Sequence, residues 1–329
     1  MNDDDLISDS TAARPRLDGQ RGPARERNYG RIALRILGIL AVLALLYYPI
    51  GMLLIHDIDD DAELSYQVDE GESRAVAVAA ALITRETDEN RWTANDPFFM
   101  PGFMLDNMPN FQQGIMYALS RFAIEMSDQI GRVRGSSQVD ADLDSAAGRL
   151  KFPGTIWLFD FGTSLAPTTA SEQHYRTARL AFLNYNKRLA VGQASFERRA
   201  DNLQATIERI SNDIGSSSAV IDQRIATGGF LIDTEADDVF YQTKGRLYAY
   251  YQILKALGLD FQKIIDEREL TAAWSQMLES FRIAATMQPL VVANGEPDSQ
   301  VMPSHLASQG FYLLRSRTQI KEIANILLK

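Results

Sequence analysis

The chain has 329 residues, 46% of them hydrophobic, and a formal net charge of −10. That length accommodates an apolar anchor plus one large domain, and the apolar fraction is enough to bury a core, which excludes a wholly disordered chain. There is no cysteine, which excludes disulfides, thiolate metal sites and cysteine nucleophiles.

At the N-terminus the chain is rich in Asp, Arg, Gly, Pro and Ser and nearly free of large apolar groups, the composition of a disordered tail. Ile36 to Ile55 then reads ILGILAVLALLYYPIGMLLI, twenty residues without a charge. As a helix they span roughly 30 Å, the hydrocarbon thickness of a bilayer. Pro49 and Gly51 fall in the outer third of the run, a disruption that membrane helices tolerate.

Seven arginines precede the run, from Arg14 to Arg35, while Asp57 to Glu72 holds eight acids and no lysine or arginine. The positive-inside rule therefore puts the N-terminus in the cytoplasm and exports the rest. A cleaved signal peptide is the alternative, but the run is long for one and ends in MLLIHD without a small-residue cleavage site. The expected organisation is an Arg-rich cytoplasmic tail (1–31), a transmembrane anchor (32–56) in a bacterial inner membrane, and one periplasmic helical domain (57–329). Removing the seven arginines and six acids before His56 from the totals of 33 and 43 leaves 26 and 37, a domain of net −11. Such a domain repels nucleic acid, so none is expected as a partner.

Beyond the anchor, DIDDDAEL reads as a solvated acidic spacer. ESRAVAVAAALITRET is a good helix by alanine content, ending near Asn90. Residues 91–114, RWTANDPFFMPGFMLDNMPNFQQG, contain three prolines and two glycines and cannot form one helix. The segment is dense in aromatics and methionines, which predicts that it packs against the rest of the domain. A helix follows from about Phe111 to Arg132, broken by RGSSQVDADLD, and FPGTIWLFDFGTSLAP is a short strand or a buried turn.

Thr169 and Glu172 have capping-box spacing, opening a helix that runs to Gly215. Within it Tyr175, Phe182, Leu189, Phe196, Leu203 and Ile210 recur every seven residues, joined by Ala200, Ile207 and Ile214. This is a heptad seam, half-polar at its start where Asn186 and Gln193 occupy the second position. A continuous helix would be about 68 Å long, with Gly192 as a point of bending. The polar seam positions favour packing within the domain over a two-stranded coiled coil. GSSSAVIDQRIATGG links to a helix from about Asp233 to Leu257, with Gly258 as its C-cap. The next helix packs Ile264, Leu270, Trp274, Met277, Leu278 and Phe281. Ser304 caps a last one, with Phe311, Leu314, Ile320, Ile323 and Leu327 on one face. The fold class is mainly α.

The chemical inventory is thin. The three histidines have no metal-ligand spacing, and there is no H-E-x-x-H, nucleophile elbow, P-loop or dinucleotide fingerprint. Asp57, Asp59 and Asp61, and again Asp140, Asp142 and Asp144, have calcium-loop spacing, but Ala62 and Ser145 stand where glycine is needed, and Val68 and Lys151 where glutamate is. No metal and no cofactor is expected. The one constellation that invites a site is Trp92, Asn95, Asp96, Asp106, Asn107 and Asn110, carboxylates and amides among aromatics, as in sugar-binding grooves and glycosidase pairs. The same residues also build ordinary Asx-turns.

RWTANDPFFMPGFMLDNMPNFQQG resembles the signature stretch of a proteobacterial family known as domain of unknown function 2333, and the plan of an N-terminal anchor followed by a helical exported domain is similar. The resemblance implies an envelope protein and carries no activity or catalytic residue. The functional expectation is a non-enzymatic envelope scaffold or adaptor whose partners are the bilayer and a periplasmic protein. The alternative is a cell-wall glycan-binding protein or hydrolase using Asp96 and Asp106 beside Trp92.

Overall fold

The computed structural model describes residues 29–131, 139–227, 233–295 and 302–329. The expected tail falls almost entirely outside them, as does part of the break expected after Arg132. Among the described residues there is no strand, only two isolated bridges, Phe159 with Pro167 and Asn294 with Ser304. The chain divides after Leu46 into two units.

The first unit contains the inner part of α1 (Tyr29–Ile55), whose side chains are all exposed there. By length and composition α1 is able to cross a membrane, a test that an anchor and a signal sequence both meet. The second unit begins at Tyr47 and, among the described residues, holds the last turns of α1 and nine further α-helices. These are α2 (Arg74–Thr84), α3 (Asn107–Glu125), α4 (Ala141–Leu150), α5 (Ser171–Ala190), α6 (Ala200–Thr227), α7 (Thr234–Asp260), α8 (Gln262–Glu267), α9 (Thr271–Ala285) and α10 (His305–Leu327).

α7 is the axis of this unit. Its apolar residues go all the way round, from Phe240 and Leu247 to Tyr250, Ile253 and Leu257, so it is buried on nearly every face and touches α2, α3, α6, α9 and α10. Its closest neighbour is α3. Gly114 and Gly245 let the two backbones meet: a Cβ on Gly245 would stand 2.0 Å from the Phe111 carbonyl oxygen, and one on Gly114 2.2 Å from that of Gln242. Polar caps set the helix starts. Asp233 accepts from the Ala236 amide, Ser304 from Ala307, and Asp140 from Asp142 and Leu143. α2 has a double cap, since Ser73 accepts from Val76 while the Asp260 carboxylate accepts from the Arg74 and Ala75 amides, each at 3.0 Å. A carboxylate at a buried helix N-terminus is stabilising by up to about 2 kcal/mol.

The helix that the heptad spacing predicts is two helices. α5 ends at Ala190, Gly192 takes φ +72, and α6 starts at Ala200. The seam's apolar residues are buried all the same, Leu189 and Ala200 only partly. They pack α5 on α2 and α4, and α6 on α10. Asn186 is no defect in the seam: its side chain accepts from the Ser73 amide at 2.9 Å and donates to the Ser73 carbonyl at 3.0 Å, clamping the start of α2. Ala170 rather than Thr169 occupies the N-cap of α5 and its methyl offers no cap bond, while Glu172 accepts from Asn95. Gly215 and Gly258 both lie inside helices, the second against the Trp274 ring. The expected linker from Gly215 is therefore helical to Thr227. On α10 the buried face runs through Leu306, Leu313, Ile320, Ile323 and Leu327, leaving Phe311 and Leu314 exposed.

Candidate functional site

Two irregular segments stand beside the end of α1. Residues 97–105 read PFFMPGFML, and residues 155–167 read TIWLFDFGTSLAP. They enclose an open groove of about 700 Å³ lined by Ala94, Asn95, Asp96, Phe99, Phe103, Trp157 and Phe161 among others. Edge-to-face contact between Phe99 and Trp157, at 5.6 Å, joins the two segments. Backbone bonds fix the second as a turn, with Thr168 donating to the Leu158 carbonyl and Asp160 capping its own loop through the Gly162 amide and the Thr163 hydroxyl. A second cavity, of about 370 Å³, lies between α3 and the 150–154 turn and gathers no comparable cluster of rings.

The expectation that residues 91–114 pack against the domain holds at their two ends and at Pro101 and Gly102, but not for the rings between. Trp92, Met108 and Phe111 are buried, whereas Phe98, Phe99, Phe103 and Met104 are 71%, 46%, 54% and 57% exposed. Phe161 and Leu165 in the second segment are 73% and 84% exposed. The middle of each segment faces outward because its backbone is held from behind. Tyr47 and Tyr48 of α1 donate their hydroxyls to the Phe99 and Phe98 carbonyls, at 3.1 and 2.5 Å.

The six residues singled out by sequence have separate tasks. Trp92 donates its ring N–H to the Gly154 carbonyl at 2.8 Å and packs edge-on against Tyr175. Asn95 donates to the Ile156 carbonyl and to Glu172, tying the two groove segments together. Asp96 pairs with Arg91 at 3.1 Å, and burial raises its carboxyl above the usual range while the Arg91 guanidinium opposes the rise. Asp106 is exposed, accepts from the Asn107 amide at the start of α3, and is absent from the groove lining. Asn110 donates to the Asp106 carbonyl and, at 2.6 Å, to Asp238. Asn107, with its amide nitrogen turned toward the carboxylate, donates to Asp237 at 2.6 Å. Asn95 and Asp96 thus meet at the groove, while Asp106, Asn107 and Asn110 belong to an acidic cluster with Asp237 and Asp238. Burial first, then the Asp106 and Asp238 charges, push Asp237 up to about 6.

The supposed acidic spacer is the feature that sequence reading placed wrongly. Asp60 is buried, 2.6 Å from the Lys244 ammonium, and accepts from Gln288 at 2.7 Å. Asp59 faces Arg85 at 3.5 Å, the Asp61 carbonyl accepts from Tyr248 at 2.7 Å and Gln252 at 3.1 Å, and Glu63 pairs with Lys255 at 2.8 Å. Arg85 also binds the buried Glu86 and stands 4.8 Å from the centre of the Tyr248 ring, whose hydroxyl is pushed up to about 12, chiefly by burial. The one available signal was the pair of cations Lys244 and Lys255, which stand 11 apart on α7 and so come near one face of it.

Among the described residues no group of three or more His, Asp or Glu side chains is placed to hold a metal. Asp140 and Asp142 are bound by Arg188 at 2.7 and 2.6 Å. His174 stacks on Phe152 at 3.8 Å. A family model described as "uncharacterized protein conserved in bacteria (DUF2333)" matches residues 65–236 and 232–329. No curated protein and no solved structure matches the chain.

Proposed function

The chain belongs to the bacterial family whose model it matches, and from that premise we propose that it is an inner-membrane-anchored periplasmic protein acting as a non-enzymatic envelope scaffold or adaptor. The observation that carries this reading is the pinned segment after α1. Asp59, Asp60, Asp61 and Glu63 are each bonded to Arg85 or to α7, so the chain that leaves α1 is fixed to the helical domain rather than a loose tether. A rigid mount suits a protein whose task is to offer a surface, here to a periplasmic protein partner. A C-terminal alkaline phosphatase fusion is expected to be active and a C-terminal GFP fusion dark in a Sec-dependent host. The protein is expected to stay with membranes through a high-salt wash. The reverse pair of fusions, or release of a shorter soluble form, overturns the reading.

Cell-wall glycan binding or hydrolysis is the second reading, favoured by Asn95 and Asp96 beside the rings of an open groove. Against it, the Asn95 amide nitrogen and the Asp96 carboxylate are already engaged by protein groups, and Asp106 caps a helix. Retention on purified peptidoglycan sacculi that is lost in Asp96→Asn, with the fold intact, would replace the scaffold reading by this one.

A further inference from the structure

We propose that the two aromatic segments, 97–105 and 155–167, lie in the outer leaflet of the bilayer that α1 crosses, as a lipid-embedded collar on the end of the anchor; this rests on the anchor reading above. Three observations carry it. The first is depth. Tyr47 lies eight residues before Ile55, so the carbonyls of Phe98 and Phe99, bonded to Tyr47 and Tyr48, meet α1 about 12 Å inside the end of its apolar run. A membrane-spanning α1 takes this loop into the hydrocarbon with it.

The second is hydrogen-bond accounting. In water neither a tyrosine hydroxyl nor a loop carbonyl needs the other. In lipid each would be left without a partner at a cost of several kcal/mol, and each satisfies the other here. Pro101 lies directly on the backbone at Gly51, where a Cβ would stand 2.4 Å from its Cγ, the small-residue contact by which elements pack inside membranes.

The third is composition. Residues 97–105 carry no charge, and residues 155–167 carry only Asp160, whose carboxylate is turned back onto its own loop. Phe98, Phe103, Met104, Phe161 and Leu165 are exposed. Exposed rings concentrated at one membrane boundary are an interfacial belt.

The test uses the full chain in phospholipid nanodiscs. Because the sequence has no cysteine, single cysteines at Phe103, Phe161, Leu43 and the exposed Lys263 can carry a nitroxide. Collisions with oxygen and with a water-soluble nickel chelate are then measured by electron paramagnetic resonance. Leu43→Cys reports the anchor itself and Lys263→Cys the water phase. The proposal expects Phe103→Cys and Phe161→Cys to match Leu43→Cys, with oxygen access kept and nickel access lost. Nickel access at either position equal to that at Lys263, with Leu43 in lipid, overturns the collar and leaves the anchor standing. Protection from both reagents means that protein covers the loops, and also overturns it. Nickel access at Leu43 removes the anchor reading and the collar with it.

Discussion

Two segments flank the end of α1 and are placed opposite to their polarity. Residues 57–63 carry five carboxylates in seven positions, yet Asp60 is buried and its neighbours are bonded to Arg85 and α7. Residues 97–105 carry no charge, yet Phe98, Phe103 and Met104 are more than half exposed. The contrast teaches that polarity alone does not choose inside or outside. A carboxylate enters the interior when a cation waits there, because the pair offsets part of the desolvation cost. A ring remains outside without penalty when what lies outside is not water.

The comparison is broken most directly at Lys244. Lys244→Ala leaves Asp60 buried and unpaired and is expected to destabilise the protein by about 3–5 kcal/mol in urea unfolding of the detergent-solubilised chain. Lys244→Met combined with Asp60→Leu is expected to restore most of that. A single-variant loss under ~1 kcal/mol would mean that the segment is not pinned. Next comes the contact that holds α7 in place. Gly245→Ala drives a methyl into the Phe111 carbonyl and is expected to cost about 2–3 kcal/mol by the same measurement. Asn186→Leu separates two accounts of one residue. If Asn186 only weakened a coil seam, leucine would stabilise; as the clamp on Ser73, its loss is expected to cost about 2 kcal/mol.

The acidic cluster gives a pH signature. The folded Asp237 holds its proton up to about 6, above the ordinary value of 3.8, so the native state binds more protons than the unfolded chain between those limits. Its contribution to stability is present below 3.8 and is lost as pH rises to 6. Asp237→Asn is therefore expected to melt higher than the wild type at pH 7, by about 1 kcal/mol after solvent screening, and to converge with it near pH 4. The smallest effect belongs to the exposed rings. Phe103→Ser and Phe161→Ser are expected to shift unfolding in detergent by no more than ~0.5 kcal/mol, since neither side chain is part of the core.

Patterns carried by one element were legible from sequence. The α2 helix, the start of α7 at Asp233, the Ser304 cap of α10 and the apolar run of α1 follow from local composition. What needed a second element was not. Gly215 and Gly258 read as stops because nothing local reveals that neighbours pack on them, Arg317 and Trp274 respectively. Gly192 is legible as a bend, but not as a full break, because the seven-residue spacing continues through the turn into α6. At the groove, sequence found Asn95 and Asp96 but grouped them with Asp106, Asn107 and Asn110, which answer to Asp237 and Asp238 more than a hundred residues away. Residues 155–167, the other wall, gave no signal beyond an apolar run.

The shortness of the pinned segment has a kinetic meaning. Asp60 is fixed to Lys244 only five residues past Ile55, a stretch that cannot exceed about 17 Å even fully extended. Under the proposed anchoring, the point at which the domain is attached lies within that radius of the membrane, at an effective concentration of order millimolar or above. For the proposed collar, the aromatic segments would then need only feeble intrinsic affinity for lipid to remain engaged nearly all the time. Under the proposed anchoring, a periplasmic protein partner would be met by diffusion in two dimensions along the membrane rather than by a search through a volume.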